Sequence, residues 1–280
     1  MTDDFSPASV PRSKDALWLR VASAAALAPA AIGASWAGGP VFAGLVAFLC
    51  VLMAFEWSRM IERAELTPVF FALGLGGAIA LILAAGERYG LAYLACAASG
   101  AAAAAAATRG SGKWKWAAFG AAYFLAPSVA LIWLRETADG GRGFLILLFA
   151  IVWSADTGGY VAGRIVGGPK LSPKISPAKT WAGAAGGLIA GAIAAAVGAP
   201  LLFGGAANAG HIAMGAGLGL ASIFGDMAES AFKRHFGIKD MSGFIPGHGG
   251  VLDRLDGMIF ATVAVTAVLY GHSLLAGLDG

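Results

Sequence analysis

The sequence predicts an all-α, polytopic membrane helix bundle with about nine transmembrane helices and its N-terminus inside, and three observations predict it. Of 280 residues, 58% are hydrophobic and only 12% are charged, against about 25% charged in a soluble chain. Glycine fills 42 positions, roughly twice the usual ~7%, which suits helices that approach one another closely in lipid. Apolar runs long enough to cross ~30 Å of hydrocarbon as helices recur along the chain. A soluble globular domain and a single anchor with a soluble head are both excluded. The net charge of +3 is too small and scattered for a polyanion-binding surface, so no nucleic-acid partner is expected. Cys50 and Cys96 sit inside apolar runs and read as reduced packing residues without functional weight.

Taken in order, residues 1–16 read as a short cytoplasmic tail, in which Phe5, Ser6 and Pro7 suggest disorder. The nine spans fall near 17–36, 40–58, 68–85, 89–107, 115–134, 143–164, 181–203, 209–232 and 251–276. Arg12 and Lys14 precede the first run as they would in a signal peptide, but its core is long and further spans follow at once, so it reads as a retained helix. The alanine run from Ala101 to Ala107 supplies a thin helix surface for close packing. Orientation follows from Lys and Arg, which cytoplasmic ends retain. With the N-terminus inside, sixteen of the nineteen basic residues are cytoplasmic, and only Arg88, Arg135 and Arg142 fall outside. The spans from 17 to 142 read as a lipid-facing scaffold. Residues 143–280 read as the catalytic region, with cytoplasmic loops at 165–180 and 233–250.

Chemistry is expected where charge enters apolar helix. A carboxylate in a membrane helix costs at least ~2.5 kcal/mol on insertion scales, so it lines a cavity or meets a partner. Asp156 interrupts one run, with Tyr160 and Arg164 below it on nearly the same helix face; an internal Asp156–Arg164 pair is the purely structural alternative. Ser222, Asp226, Glu229 and Lys233 stand four, three and four residues apart, forming one polar stripe on a helix. A Glu229–Lys233 pair at the helix end is the bland reading of that stripe.

The loop from Lys239 and Asp240 through His248, Gly249 and Gly250 leads into Asp253, Arg254 and Asp256. Its glycines let backbone N–H groups approach an anion, and a helix starting after Gly250 would aim its positive end at phosphate. Asp253 alone fits a helix-dipole role. Together with Asp226 and Glu229, it fits a hard divalent cation whose shell phosphate oxygens complete. A second basic loop carries Lys170, Ser172, Lys174, Ser176, Lys179 and Thr180, with two Ser-Pro steps that hold the chain extended.

From Ser230 to Asp256 the chain reads SAFKRHFGIKDMSGFIPGHGGVLDRLD, which resembles the signature of the phosphatidate cytidylyltransferase (CDP-diglyceride synthase) family. Asp156-Thr157-Gly158-Gly159-Tyr160 and Ser172-Pro173-Lys174-Ile175-Ser176-Pro177 are similar to further family segments, so the likeness covers roughly 153–260. Ala178 and Ala182 depart from the pattern, which has a second lysine and often a glutamate there.

The resemblance implies transfer of CMP from CTP to phosphatidic acid in a bacterial inner membrane, with the site on the cytoplasmic side and the enzyme a homodimer. It implies Mg²⁺ held by Asp226, Asp253 and Asp256, with Asp240 as a further candidate and a second cation left open. Lys233, Arg234, Lys239 and Arg254 would neutralise phosphates, and His248 would orient a phosphate or brace the loop. Asp156, Ser172, Lys174, Ser176, Lys179, Thr180, Glu229, Ser230, Gly249 and Gly250 complete the expected substrate contacts. A secondary transporter with midplane carboxylates is the rival from another class, opposed by the lack of a visible inverted repeat and by the crowding of charge on one face.

Overall fold

A computed structural model describes residues 13–109, 111–136, 140–245 and 249–278. It contains nine long helical stretches at the positions expected from hydropathy. They are α1 (Ser13–Ala37), α2 (Gly39–Glu62), α3 (Pro68–Ala85), α4 (Tyr89–Arg109), the run α5 (Trp114–Gly120) to α6 (Ala126–Glu136), α7 (Gly141–Ile165), α8 (Trp181–Phe203), α9 (Ala209–His235) and α10 (Leu252–Leu278). Six of these are long and apolar enough to cross a bilayer: α2, α3, α4, the α5–α6 run, α7 and α8. The expected count of nine is therefore reached in helices, whereas the apolar criterion is met by six. α9 falls short because Asp226, Glu229, Lys233 and Arg234 replace apolar surface with charge over its second half, whereas α10 carries its charges, Asp253, Arg254 and Asp256, only at its start. In α1 the described apolar stretch is only Ala25–Ala37. The tail expected at 1–16 lies mostly outside the described residues.

Local sequence accounts for where the helices begin. Thr67, Thr180 and Asn208 each place a side-chain oxygen on a backbone N–H three residues on, at 3.3, 3.0 and 3.0 Å, satisfying donors that a helix start leaves without intrahelical partners. Pro68 sits in the first turn of α3, where its missing N–H costs nothing.

The α5–α6 run is interrupted by a π-helical turn, Ala121–Leu125. Pro127 lies just beyond it. A proline inside a helix lacks the donor for the carbonyl four residues earlier and its ring crowds that carbonyl, here Tyr123; the widened turn around Tyr123 absorbs the misfit.

One departure from the all-α expectation is a small antiparallel hairpin, β1 (Lys170–Ser172) and β2 (Ser176–Thr180), with Lys170 opposite Thr180 and Ser172 opposite Ser176. The Ser-Pro steps that resist helix leave this loop extended, and extended segments joined by a short turn pair with each other.

Large apolar side chains such as Phe48, Leu75, Ile82, Leu94, Ile189 and Val197 point outward, as a lipid-facing surface requires. Inside, Phe42, Trp57, Ile61, Leu73, Phe124 and Leu125 form the core of the N-terminal half. The C-terminal half is joined by small residues: a Cβ on Gly158 of α7 would stand 2.8 Å from the Gly186 carbonyl of α8. Such contact lets helix backbones touch and relies on dispersion rather than on burial of large side chains.

Candidate functional site

The site is built where α7, the hairpin, α9 and α10 meet. The backbones of α9 and α10 are in direct contact: a Cβ on Gly225 would collide with the Asp256 carbonyl, and one on Gly257 with the Ser222 hydroxyl. That contact brings Asp226 against Asp256, whose carboxylates touch. Asp156 of α7 joins them, accepting from Ser222 Oγ at 3.3 Å and facing Asp226. Two carboxylates in contact repel unless positive charge stands beside them, and Lys179 of β2 forms an ion pair with Asp226.

Two turns further along α9 from Asp226, Lys233 bridges two carboxylates, Glu229 Oε2 at 2.8 Å and Asp253 Oδ1 at 2.6 Å. All three side chains are largely buried. The Glu229–Lys233 pair is therefore more than a helix-end contact, because it reaches across to α10. The stripe expected at Ser222, Asp226, Glu229 and Lys233 faces the site along its whole length. The alternative Asp156–Arg164 pair is not formed; Arg164 Nη1 donates to the Tyr160 hydroxyl at 2.7 Å instead.

Two cavities open onto this cluster. A polar one of about 710 Å³ runs between α7, the hairpin, α9 and α10 and is lined by Lys179, Asp226, Glu229, Ser230, Lys233 and Asp240, among others. A predominantly apolar one of about 550 Å³ extends between α1, α2, α6, α7 and α10, past Leu27, Phe42, Val46, Met53, Leu131 and Ile259. The two share a wall made of Asp156, Arg254 and Asp256.

Several expected residues take other places. Ser172, Lys174, Ser176, Arg234, Lys239 and Gly249 do not line either cavity; Arg234 Nε instead donates to the Ile175 carbonyl at 3.5 Å and holds the hairpin tip to α9. Thr180 lines the polar cavity while its hydroxyl accepts the Gly183 N–H that starts α8. His248 lies outside the described residues.

Asp253 differs most from expectation. Its Oδ2 accepts Gly250 N–H at 2.7 Å and Met241 N–H at 3.1 Å, while Oδ1 takes Lys233. Both oxygens are thus held by protein donors. Among the described residues no three His, Cys, Asp or Glu side chains stand close enough together to hold one metal ion; of the expected trio of Asp226, Asp253 and Asp256, Asp226 is paired with Lys179 and Asp253 with Lys233.

The start of α10 also differs from the expected phosphate cradle. Glu56 of α2, fully buried, accepts Val251 N–H on Oε1 and Leu252 N–H on Oε2, both at 2.8 Å, and Ser242 Oγ donates to it as well. Those donors are spent on a carboxylate from the N-terminal half. A Cβ on Gly250 would lie 2.6 Å from Glu56 Oε1, so this glycine is required by the carboxylate beside it. Sequence reasoning passed over Glu56, although a single acid inside the apolar run 40–58 carried the same signal as Asp156.

The many-helix bundle thus carries a charged cavity that shares a wall with an apolar one. Comparison with known proteins identifies the class. Residues 18–272 match the Cytidylyltransferase family. The chain is 35% identical over 270 residues to a phosphatidate cytidylyltransferase of Brucella suis, covering 91% of this chain and 92% of that one. It is 42% identical over 144 residues to a phosphatidate cytidylyltransferase of Haemophilus influenzae, covering 49% of this chain and 50% of that one. A third relative, from Staphylococcus saprophyticus, is 37% identical over 141 residues, covering 50% and 54%. The chain belongs to the cytidylyltransferase family.

Proposed function

We infer that the protein transfers CMP from CTP to phosphatidic acid, giving CDP-diacylglycerol and pyrophosphate at the head of phospholipid synthesis. The observation that carries this reading is the wall of Asp156, Arg254 and Asp256 common to both cavities. A nucleotide triphosphate requires the polar cavity with its lysines, acyl chains require the apolar one, and the reaction requires their phosphates to meet at one point. The lipid phosphate oxygen bonds to the α-phosphorus of CTP while the bond from that phosphorus to the bridging oxygen breaks and pyrophosphate leaves. The nucleophile is already anionic, so positioning and charge neutralisation dominate and no strong general base is needed. Arg254, at the meeting point, and Lys179 and Lys233, along the polar cavity, supply that neutralisation.

The residues present suit Mg²⁺, which binds through one or two carboxylates and completes its shell with substrate phosphates and water. Asp226 of the polar cavity and Asp256 of the shared wall would hold it, and Asp253 would act by holding the loop and Lys233 in place. When bound, the ion supplies positive charge to the phosphate oxygens. We place the site on the cytoplasmic face of a bacterial inner membrane, with the N-terminus inside, because the basic residues gather on that side. A reporter fused after Gly280 should then behave as external. The assembly expected from the family resemblance is a homodimer.

Activity itself is tested with purified protein, CTP and phosphatidic acid. Pyrophosphate release should require both substrates and stop when either is withheld. CTP-independent solute uptake by proteoliposomes, without pyrophosphate, would favour the transporter instead.

A further inference from the structure

Glu56 stands in the half of the chain that carries none of the expected site residues, yet its carboxylate accepts the N–H groups of both Val251 and Leu252, at the start of α10. It is fully buried, and it lines neither cavity. Its hydrogen bonds are made to residues 186, 195 and 196 positions further along the chain. A buried carboxylate is stable only when its oxygens are hydrogen-bonded, and these donors all belong to the segment that leads into Arg254 and Asp256.

We propose that Glu56 is a positioning residue for CMP transfer: its carboxylate pins Ser242, Val251 and Leu252 to α2 and thereby sets where Arg254 and Asp256 stand at the wall between the two cavities. Two features beyond the hydrogen bonds support this. Gly250 has no room for a side chain against Glu56 Oε1, so the loop is fitted to this carboxylate at backbone level. Asp253 holds the same loop from the other side, through Gly250 and Met241. The loop is thus clamped between one acid from α2 and one from α10. Arg63, which caps the end of α2 two turns beyond Glu56, donates to the Phe236 carbonyl at the end of α9, so the end of α2 is tied to both helices that carry the site.

The inference rests on the proposed transferase activity, and its test separates the two. In Glu56→Gln one oxygen becomes a donor, leaving an N–H of the α10 start facing another N–H; in Glu56→Ala all three bonds are lost. A misplacement on the order of 1 Å costs about 10²-fold in rate. We expect kcat per folded molecule to fall about tenfold in Glu56→Gln and about a hundredfold in Glu56→Ala, with KM for CTP within about twofold of the parent, because Glu56 touches no substrate. Ser99→Ala is the control. It removes a helix-to-helix bond of 2.9 Å to the Ala72 carbonyl, remote from the loop, and should lower the unfolding temperature while leaving kcat unchanged.

If Glu56→Ala and Glu56→Gln fail to fold, Ser242→Ala decides, since it deletes one bond to Glu56 from a half-buried loop residue and should lower kcat severalfold at unchanged KM. In a folded Glu56→Gln background the same Ser242→Ala change should cost less than in the parent. Parental kcat in folded Glu56→Gln and Ser242→Ala, or full additivity of the two, overturns the proposal. A parent protein that does not transfer CMP overturns the functional reading instead.

Discussion

Asp253→Asn is the substitution whose outcome the structure specifies most fully. The parent carboxylate receives three donors: Gly250 N–H and Met241 N–H on Oδ2, and the Lys233 ammonium on Oδ1. An asparagine keeps one acceptor oxygen and gains a donor. Facing its oxygen to the two backbone groups is the less costly choice, and it turns the new NH₂ toward Lys233. One charge-assisted bond is lost between side chains only 14% and 5% exposed, so solvent does little to soften the change. Such a bond contributes about 1.5 to 3 kcal/mol, which corresponds to roughly 10- to 150-fold if the loss falls on the geometry needed for transfer. The assay is pyrophosphate release at saturating CTP and phosphatidic acid, per folded molecule in detergent. A mere helix-dipole role for Asp253 instead predicts a stability loss of about 0.3 to 1 kcal/mol and near-normal turnover. Turnover within twofold of the parent would refute the clamp reasoning.

Three further outcomes follow from the same geometry. Lys179→Met removes the ammonium from Asp226 at the polar cavity and should raise KM for CTP about tenfold or more, read from initial rates against CTP concentration. Gly158→Val places a side chain into the Gly186 carbonyl and Ala190; overpacking of this kind costs about 1 to 3 kcal/mol, so the unfolding temperature should fall and turnover with it, because the same helix carries Asp156. Chelation with EDTA should abolish turnover and Mg²⁺ should restore it, with Asp226→Asn needing more Mg²⁺ than the parent; turnover that persists through chelation would remove the cation from the account.

The parts of this molecule that sequence made legible are those set by local spacing. Hydropathy placed every long helix, because a bilayer-spanning helix is a single uninterrupted run. The stripe from Ser222 to Lys233 was readable for the same reason, since one helix face is fixed by residue spacing. Asp156 could be singled out from its cost in an apolar helix, and Asp256 from its place beside Asp253 just after the glycine-rich loop, although their meeting depends on close helix contacts that spacing does not reveal. What escaped is what depends on distant partners. Glu56 finds its donors nearly two hundred residues away. The start of α10 looked ready for phosphate until that carboxylate was seen to fill it. Asp253 looked like a metal ligand because its backbone partners cannot be inferred from composition. The pairing of β1 with β2 was hidden by its shortness, and the π turn by distortion around a proline whose run still reads as one continuous span.

The most direct measurement of the central claim follows the α-phosphorus of CTP. Purified protein in phosphatidic acid micelles with Mg²⁺ is given CTP labelled at that phosphorus, and label in the organic extract is counted alongside pyrophosphate in the aqueous phase. The account predicts that label moves into lipid one-for-one with pyrophosphate and that neither appears without phosphatidic acid. Label that stays in the aqueous phase as CTP or CMP, with no labelled lipid formed by well-folded protein, would contradict it.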